Sequence, residues 1–277
     1  MLTVVALVAF AANSILCRMA LREPAIDAAT FTIVRFLAGA VVLSLVTART
    51  GRAGPARAGS WSGALLLAVY ALPFAFAYSQ LSTGTGALIL FGCVQVTMLL
   101  AAVVSGERPY PAQWLGVSVA LAGLVYLMLP GVTAPPLLAA LLMAVAGVCW
   151  GLYSLRGRGA PNPLQQTTDN FIRTVPLIVV SSLPFLSRAH VEPRGVALAV
   201  ASGALASGLG YVAWYSALRH LSALQAAVVQ LAVPLIAAAG GVILLSETLS
   251  LRLIIASALI LGGITLAIVG GQRSHAR

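Results

Sequence analysis

"VVSGERPYPAQWLG", residues 103–116, and "LLSETLSLRLIIAS", residues 244–257, decide how this chain is read. In each, one acid stands between two long apolar runs. Glu107 and Glu247 lie 140 positions apart in a chain of 277. A single acid at the end of an apolar run marks an ordinary helix boundary. Two at matching places in the two halves point to an internal repeat.

The flanking runs extend this reading along the whole chain. Apolar segments occupy 2–21, 30–48, 61–81, 84–105, 111–130, 135–155, 166–187, 195–218, 221–246 and 251–271. Each has the length that crosses a bilayer as a helix, about 17–25 residues. The connections are short and rich in Pro, Gly and Arg, as in "RTGRAGPARAGS" (49–60), "RGRGAPNP" (156–163) and "SRAHVEPRG" (187–195),. Those near 82 and 220 are short enough to predict tight antiparallel hairpins.

Composition agrees. The chain is 60% hydrophobic and 8% charged, with mean hydropathy +1.01. A soluble domain carries about a quarter charged residues. A membrane β-barrel would show alternating segments of about 10 residues, and these runs are continuous. The expected fold is an all-α polytopic membrane protein of ten transmembrane helices.

The net charge of +10 comes from 16 basic residues, all arginine. They are scattered singly between apolar runs, the distribution that orients membrane helices. It forms no surface for a phosphate backbone, so nucleic acid is excluded as a partner. Loops and tail on one side carry Arg49, Arg52, Arg57, Arg108, Arg156, Arg158, Arg219, Arg273 and Arg277. The other side has Arg18, Arg22, Arg188, Arg194 and Arg252, while Arg35 and Arg173 lie within helices. This asymmetry predicts both termini in the cytoplasm of a cell whose inner membrane holds the protein. No basic residue precedes Leu2, so the first run is read as an uncleaved helix rather than a signal peptide.

Further matches accompany the glutamates. Arg35 and Arg173 lie early in the second and seventh runs. "AFAYSQL" (75–81) resembles "VAWYSAL" (212–218), which aligns Tyr78 with Tyr215. The expected units are 1–131 and 132–277. Five helices per unit is an odd number, so the halves would insert with opposite orientation. Such inverted repeats are a recurring plan of secondary transporters, with the substrate near the midplane.

Ten helices as five plus five, the Trp150-Gly151 pair, the Ala-x6-Pro spacing of Ala227 to Pro234 and the closing Glu247 resemble the EamA domain of the drug/metabolite transporter superfamily. The first half departs from that pattern: Val94 stands in place of the proline, and no Trp-Gly pair occurs near Ala11-Ala12. Overall the chain looks like the YddG-type amino-acid exporters of that family. The resemblance implies export of amino acids or similar metabolites, with a small molecule and the lipid bilayer as partners.

No enzyme signature is present: no HExxH, no GxSxG and no lysine for a Walker motif,. "GLGYVA" (208–213) lies inside an apolar run without βα context, so its glycines read as packing residues, as does Gly147-x3-Gly151. Cys17, Cys93 and Cys149 fall singly in apolar runs and give neither disulfide framework nor metal site. No cofactor is expected.

The intramembrane polar and aromatic residues are the candidates for binding. Such groups face the protein interior or a watery cavity, where they can be satisfied. They are Asn13, Tyr78, Gln95, Trp150, Tyr153, Tyr211, Trp214, Tyr215 and Gln230. For Tyr78, Trp214 and Tyr215 an interfacial belt is the competing reading, as it is for Trp61 and Trp114 at the start of their runs. Glu107, Asp169 and Glu247 are candidates for gating or coupling. The plainer alternative pairs each glutamate with a nearby arginine, Arg108 or Arg252. Arg35 or Arg173 could serve a carboxylate or could snorkel. The function expected is secondary transport by alternating access; an integral membrane enzyme and a channel are the alternatives.

Overall fold

The computed structural model describes residues 1–23, 25–50, 58–104, 110–129, 131, 134–157, 160–218, 221 and 229–275. Its helices are α1 (Leu2–Arg22), α2 (Ala28–Arg49), α3 (Trp61–Tyr78), α4 (Thr83–Val104), α5 (Pro111–Met128), α6 (Leu137–Gly157) and α7 (Pro163–Ser182), which continues into a 3₁₀ turn at Leu183–Arg188. There follow α8 (Pro193–Ala201), a π-helical segment at Ser202–Leu209, α9 (Gly210–Leu218), α10 (Ala232–Leu245) and α11 (Leu251–His275). Among the described residues, seven apolar helices are long enough to cross a membrane. They are α1, α2, α3, α5, α6, α7 and the continuous Pro193–Leu218 rod. Three shorter apolar helices cover 83–98, 232–245 and 251–267.

Local chemistry sets the helix starts. Asp27 accepts from the Thr30 amide at 2.9 Å and opens α2; Ser60 accepts from the Gly63 amide at 3.0 Å and opens α3. Asn162 does the same for α7, with proline at its first position, where a missing amide costs nothing,. The outward faces are apolar at helical spacing: Leu37, Val41 and Leu45 on α2, Leu121 and Val125 on α5, Leu141, Val145 and Val148 on α6. A soluble surface rarely presents so much contiguous apolar area. These faces suit lipid.

Close helix approach depends on small residues. α5 lies along α11, where a side chain on Gly116 or Gly263 would strike the opposing backbone. α6 lies on α4 at Gly147 and Gly151, which rest against the Leu90 and Val94 carbonyls, so the spacing read as packing is used for packing. α1 packs on the Pro193–Leu218 rod, α3 on α6 and α7, α2 on α7 and the π segment, and α10 on α4 and α1.

Two expectations are corrected, and one competing reading is set aside. α3 and α4 are joined by a short turn, yet they diverge after it and touch sparsely, because each packs on α6 instead. The eighth run is not one uniform α-helix: it widens to i→i+5 geometry over Ser202–Leu209,. Tyr78, Trp214 and Tyr215 are not belt residues but buried at 0%, 1% and 4% exposure, because their helices turn those faces inward. Trp61 and Trp114, at 61% and 48%, keep the exposure a belt requires.

Candidate functional site

The middle of the bundle holds a polar cluster wrapped in rings. Arg35, on α2, is fully buried. Its Nε donates to Ser207 Oγ at 3.1 Å and its Nη2 to the Tyr70 hydroxyl at 3.2 Å. Asn13, on α1, donates to the same hydroxyl at 3.4 Å, while its Oδ1 accepts from Ser202 at 2.7 Å and Ser207 at 3.5 Å. Tyr70 thus accepts twice and keeps its own proton to donate.

The π segment builds this cluster. Ser202 and Ser207 are five apart, a spacing that an α-helix would turn to different faces and i→i+5 geometry brings back to one,. Gly203 shares that repeat with Gly208. Any side chain at Gly203 would overlap the backbone of Arg35, so only glycine lets the segment reach α2. Gly39 completes the crossing beneath Phe171.

Rings close around the guanidinium and above it. Phe36, Tyr70 and Phe74 lie 5.5, 5.5 and 5.1 Å from its carbon, close enough for cation–π attraction,. From there a column of rings runs through the bundle: Tyr78 on Phe74 (4.8 Å between centroids), Phe74 on Tyr70 (5.3 Å), Tyr70 on Trp150 (5.3 Å) and Trp150 on Tyr153 (5.8 Å). Tyr211 flanks Trp150 at 4.8 Å, and Phe10 meets Trp150, Tyr211 and Trp214 edge-on. A cavity of about 10 Å³ remains among Phe10, Asn13, Tyr70, Phe74, Trp150 and Tyr211. That volume holds about one water, so the site is collapsed on itself in this conformation.

Polar contacts between helices tie both ends of the column. At one end Glu247 pairs with Arg18 at 3.3 Å and accepts from the Thr83 amide at 2.8 Å, capping α4. Arg18 also donates to the Tyr78 and Ser79 carbonyls, and Arg22 to that of Leu245. The local chain aims this carboxylate. Ser246 sits at φ +52°, the left-handed turn that ends α10, and a side chain at Gly241 would occupy the space the carboxylate fills,. At the far end of α3, Asp169 accepts from the Gly59 amide at 3.1 Å and from Gln165 at 2.8 Å. Asn170 accepts from Ser60 at 2.9 Å and donates to the Tyr153 hydroxyl at 3.3 Å.

Of the sequence candidates, Asn13, Trp150 and Tyr211 meet at the cavity, and Tyr78, Tyr153 and Trp214 extend its rings. Tyr215 is buried against Gly157. Gln95 on α4 and Gln230 just ahead of α10 are buried and are not among the residues that line the cavity. Glu247 does not pair with Arg252, which donates to the Leu129 carbonyl instead; its partner is 229 positions away on α1. Arg35 does not snorkel. Glu107, Arg108 and Ala227 fall outside the described residues.

Sequence reasoning passed over Phe10, Tyr70, Ser202 and Ser207. Tyr70, Phe74 and Tyr78 are four apart and make one stripe on α3, a usable signal. The serines were hidden by an assumed α period, and Phe10 is one more apolar residue in an apolar run. Among the described residues no cluster of metal-ligating side chains occurs.

The model of the EamA-like transporter family matches residues 1–129 and again 137–269. An uncharacterised protein of Pseudomonas aeruginosa is 51% identical over 267 residues, covering 96% of this chain and 93% of that one. An uncharacterised transporter of Archaeoglobus fulgidus is 26% identical over 196 residues, covering 68% of each. A protein of known crystal structure superposes with TM-score 0.70 over 98% of this chain and 97% of its own, at 22% identity, a likeness of fold alone. With a multi-pass architecture and the family model matched over nearly its whole length, the chain belongs to the EamA-like transporter family.

Proposed function

We propose that this protein is a secondary transporter that exports small metabolites, amino acids foremost, across the inner membrane by alternating access, as the YddG-type exporters do. The observation that carries this reading is the small cavity of rings around Asn13, with separate polar ties toward the two ends of the ring column. Aromatic walls with a few fixed polar groups suit a small, partly apolar solute.

The reading takes the seven long and three short apolar helices as ten crossings, five in each of units 1–131 and 132–277, with both termini cytoplasmic. Two observations support an inverted pair of units. Packing partners exchange when each element is replaced by the one five crossings on: α3 on α6 becomes the Pro193–Leu218 rod on α1, and α4 on α6 becomes α10 on α1. The ties exchange too. Asp27, starting α2, holds the His190 amide ahead of α8, as Asp169 of α7 holds Gly59 ahead of α3. The two ties sit at opposite ends of the bundle. Rocking one unit on the other would release one end while the other stays closed.

The test is uptake of labelled amino acids into proteoliposomes, with and without a pH gradient. Saturable uptake is expected. Accumulation driven by the gradient would make Glu107, Asp169 and Glu247 the targets for mutation as coupling residues, and uptake that ignores it would support a facilitator in which the acids are structural. No uptake of any amino acid by folded protein would end the amino-acid reading.

A further inference from the structure

Arg35 carries a full positive charge into the interior with no acid beside it among the described residues. The chain has six acids. Five are described, and each is engaged elsewhere: Glu23 with Arg194, Asp27 with Thr30 and His190, Asp169 with Gly59 and Gln165, Glu192 with His190, and Glu247 with Arg18 and Thr83. The sixth, Glu107, lies outside the described residues. Two of the three guanidinium nitrogens have neutral acceptors. Nη1 has no partner among the described residues. Rings and hydroxyls soften such a charge without neutralising it, and an intramembrane charge of this kind marks a functional site.

We propose that Arg35 is the substrate's anion site: the transported solute carries a carboxylate, which docks on Nη1 and supplies the missing negative charge. The inference rests on the transport reading above and adds the substrate's charge to it. Tyr70 and Phe74 stand against the guanidinium and also form the cavity wall, so the charge lies one ring behind the cavity. Displacing Tyr70, which is held by two long hydrogen bonds, joins the two. Charge pairing calls for one carboxylate at the docking end of the solute, whatever its other end carries. Arg35 is one cation, and Arg18 is already held by Glu247 at the rim. Nη1 offers one edge, which fits one carboxylate oxygen. The remainder of the solute faces Trp150 and Tyr211.

Three matched solutes test this on the purified full chain in detergent, read by the thermal unfolding midpoint. Phenylalanine has carboxylate and ammonium, 3-phenylpropionate only the carboxylate, phenethylamine only the ammonium. The first two are expected to raise the midpoint saturably and the amine to leave it unchanged. Arg35→Gln should abolish the rise, with at least about 100-fold weaker binding, while its own ligand-free midpoint stays level or climbs because an unpaired buried charge is gone. Arg35→Lys, which keeps the charge and loses the fork, should restore part of the rise. Stabilisation by the amine equal to that by the acids, no stabilisation by either acid, or a full rise in Arg35→Gln would each overturn the proposal. The solute comparison needs no variant, so it decides even if Arg35→Gln fails to fold. Uptake of the amine without the acids would sink this inference and keep the transporter. Binding of the acids without uptake of any solute would do the reverse.

Discussion

Arg18 and Arg35 are 17 positions apart, on consecutive helices, and they live under different rules. Arg18 is at the rim, its side chain 15% exposed, with a carboxylate and two carbonyls around it. Arg35 has no exposure, no described acid and three rings. The rim arginine closes a structure whose charges already balance, and removing either partner weakens it. The interior arginine has no described carboxylate partner, and on the proposal above its removal should leave the ligand-free protein level or more stable,. Charge pairing would then separate what holds this fold from what it binds.

The largest break in that contrast comes from Gly203→Leu. Its side chain would overlap the Arg35 backbone, forcing the π segment off α2 and taking Ser207 with it. Loss of the monodisperse folded peak on size exclusion is expected; a well-folded variant would show that the crossing is not tight. Next is Trp150→Ala, which empties the centre of the ring column. A loss of about 3–5 kcal/mol is expected from denaturant unfolding, together with weaker solute binding. Glu247→Ala strands Arg18 and uncaps α4, and should cost about 2–3 kcal/mol while leaving the affinity of a bound carboxylate unchanged. A change in affinity without a change in stability would merge the rim with the site. The smallest effect sharpens the rim: Ser246→Gly relieves a left-handed backbone position and should add about 0.5–1 kcal/mol,.

The apolar runs and their punctuation were legible because burial in lipid needs only length and hydropathy. Trp150 and Tyr211 were legible because aromatic groups within a span have few places to go. Other features depended on the third dimension. The partner of Glu247 was not legible, since an ion pair across 229 positions leaves no local trace and Arg252 was the near choice. Arg35 was visible but ambiguous: its depth depends on which face α2 turns inward, and that is set by Gly39 and Gly203 together. Ser202 and Ser207 were missed because a five-residue spacing carries no meaning until a helix is known to be widened.

That widened turn also sets the phase of everything after it. The widened segment absorbs about one extra residue, and an α-helix advances about 100° per residue, so letting Ser202–Leu209 relax to a plain helix at its full length would rotate α9 by roughly that angle or more,. Tyr211 and Trp214 would swing away from Phe10 and toward lipid, although neither they nor their neighbours had been changed. The segment acts as an index mark: it fixes which side of the ninth helix is the inside.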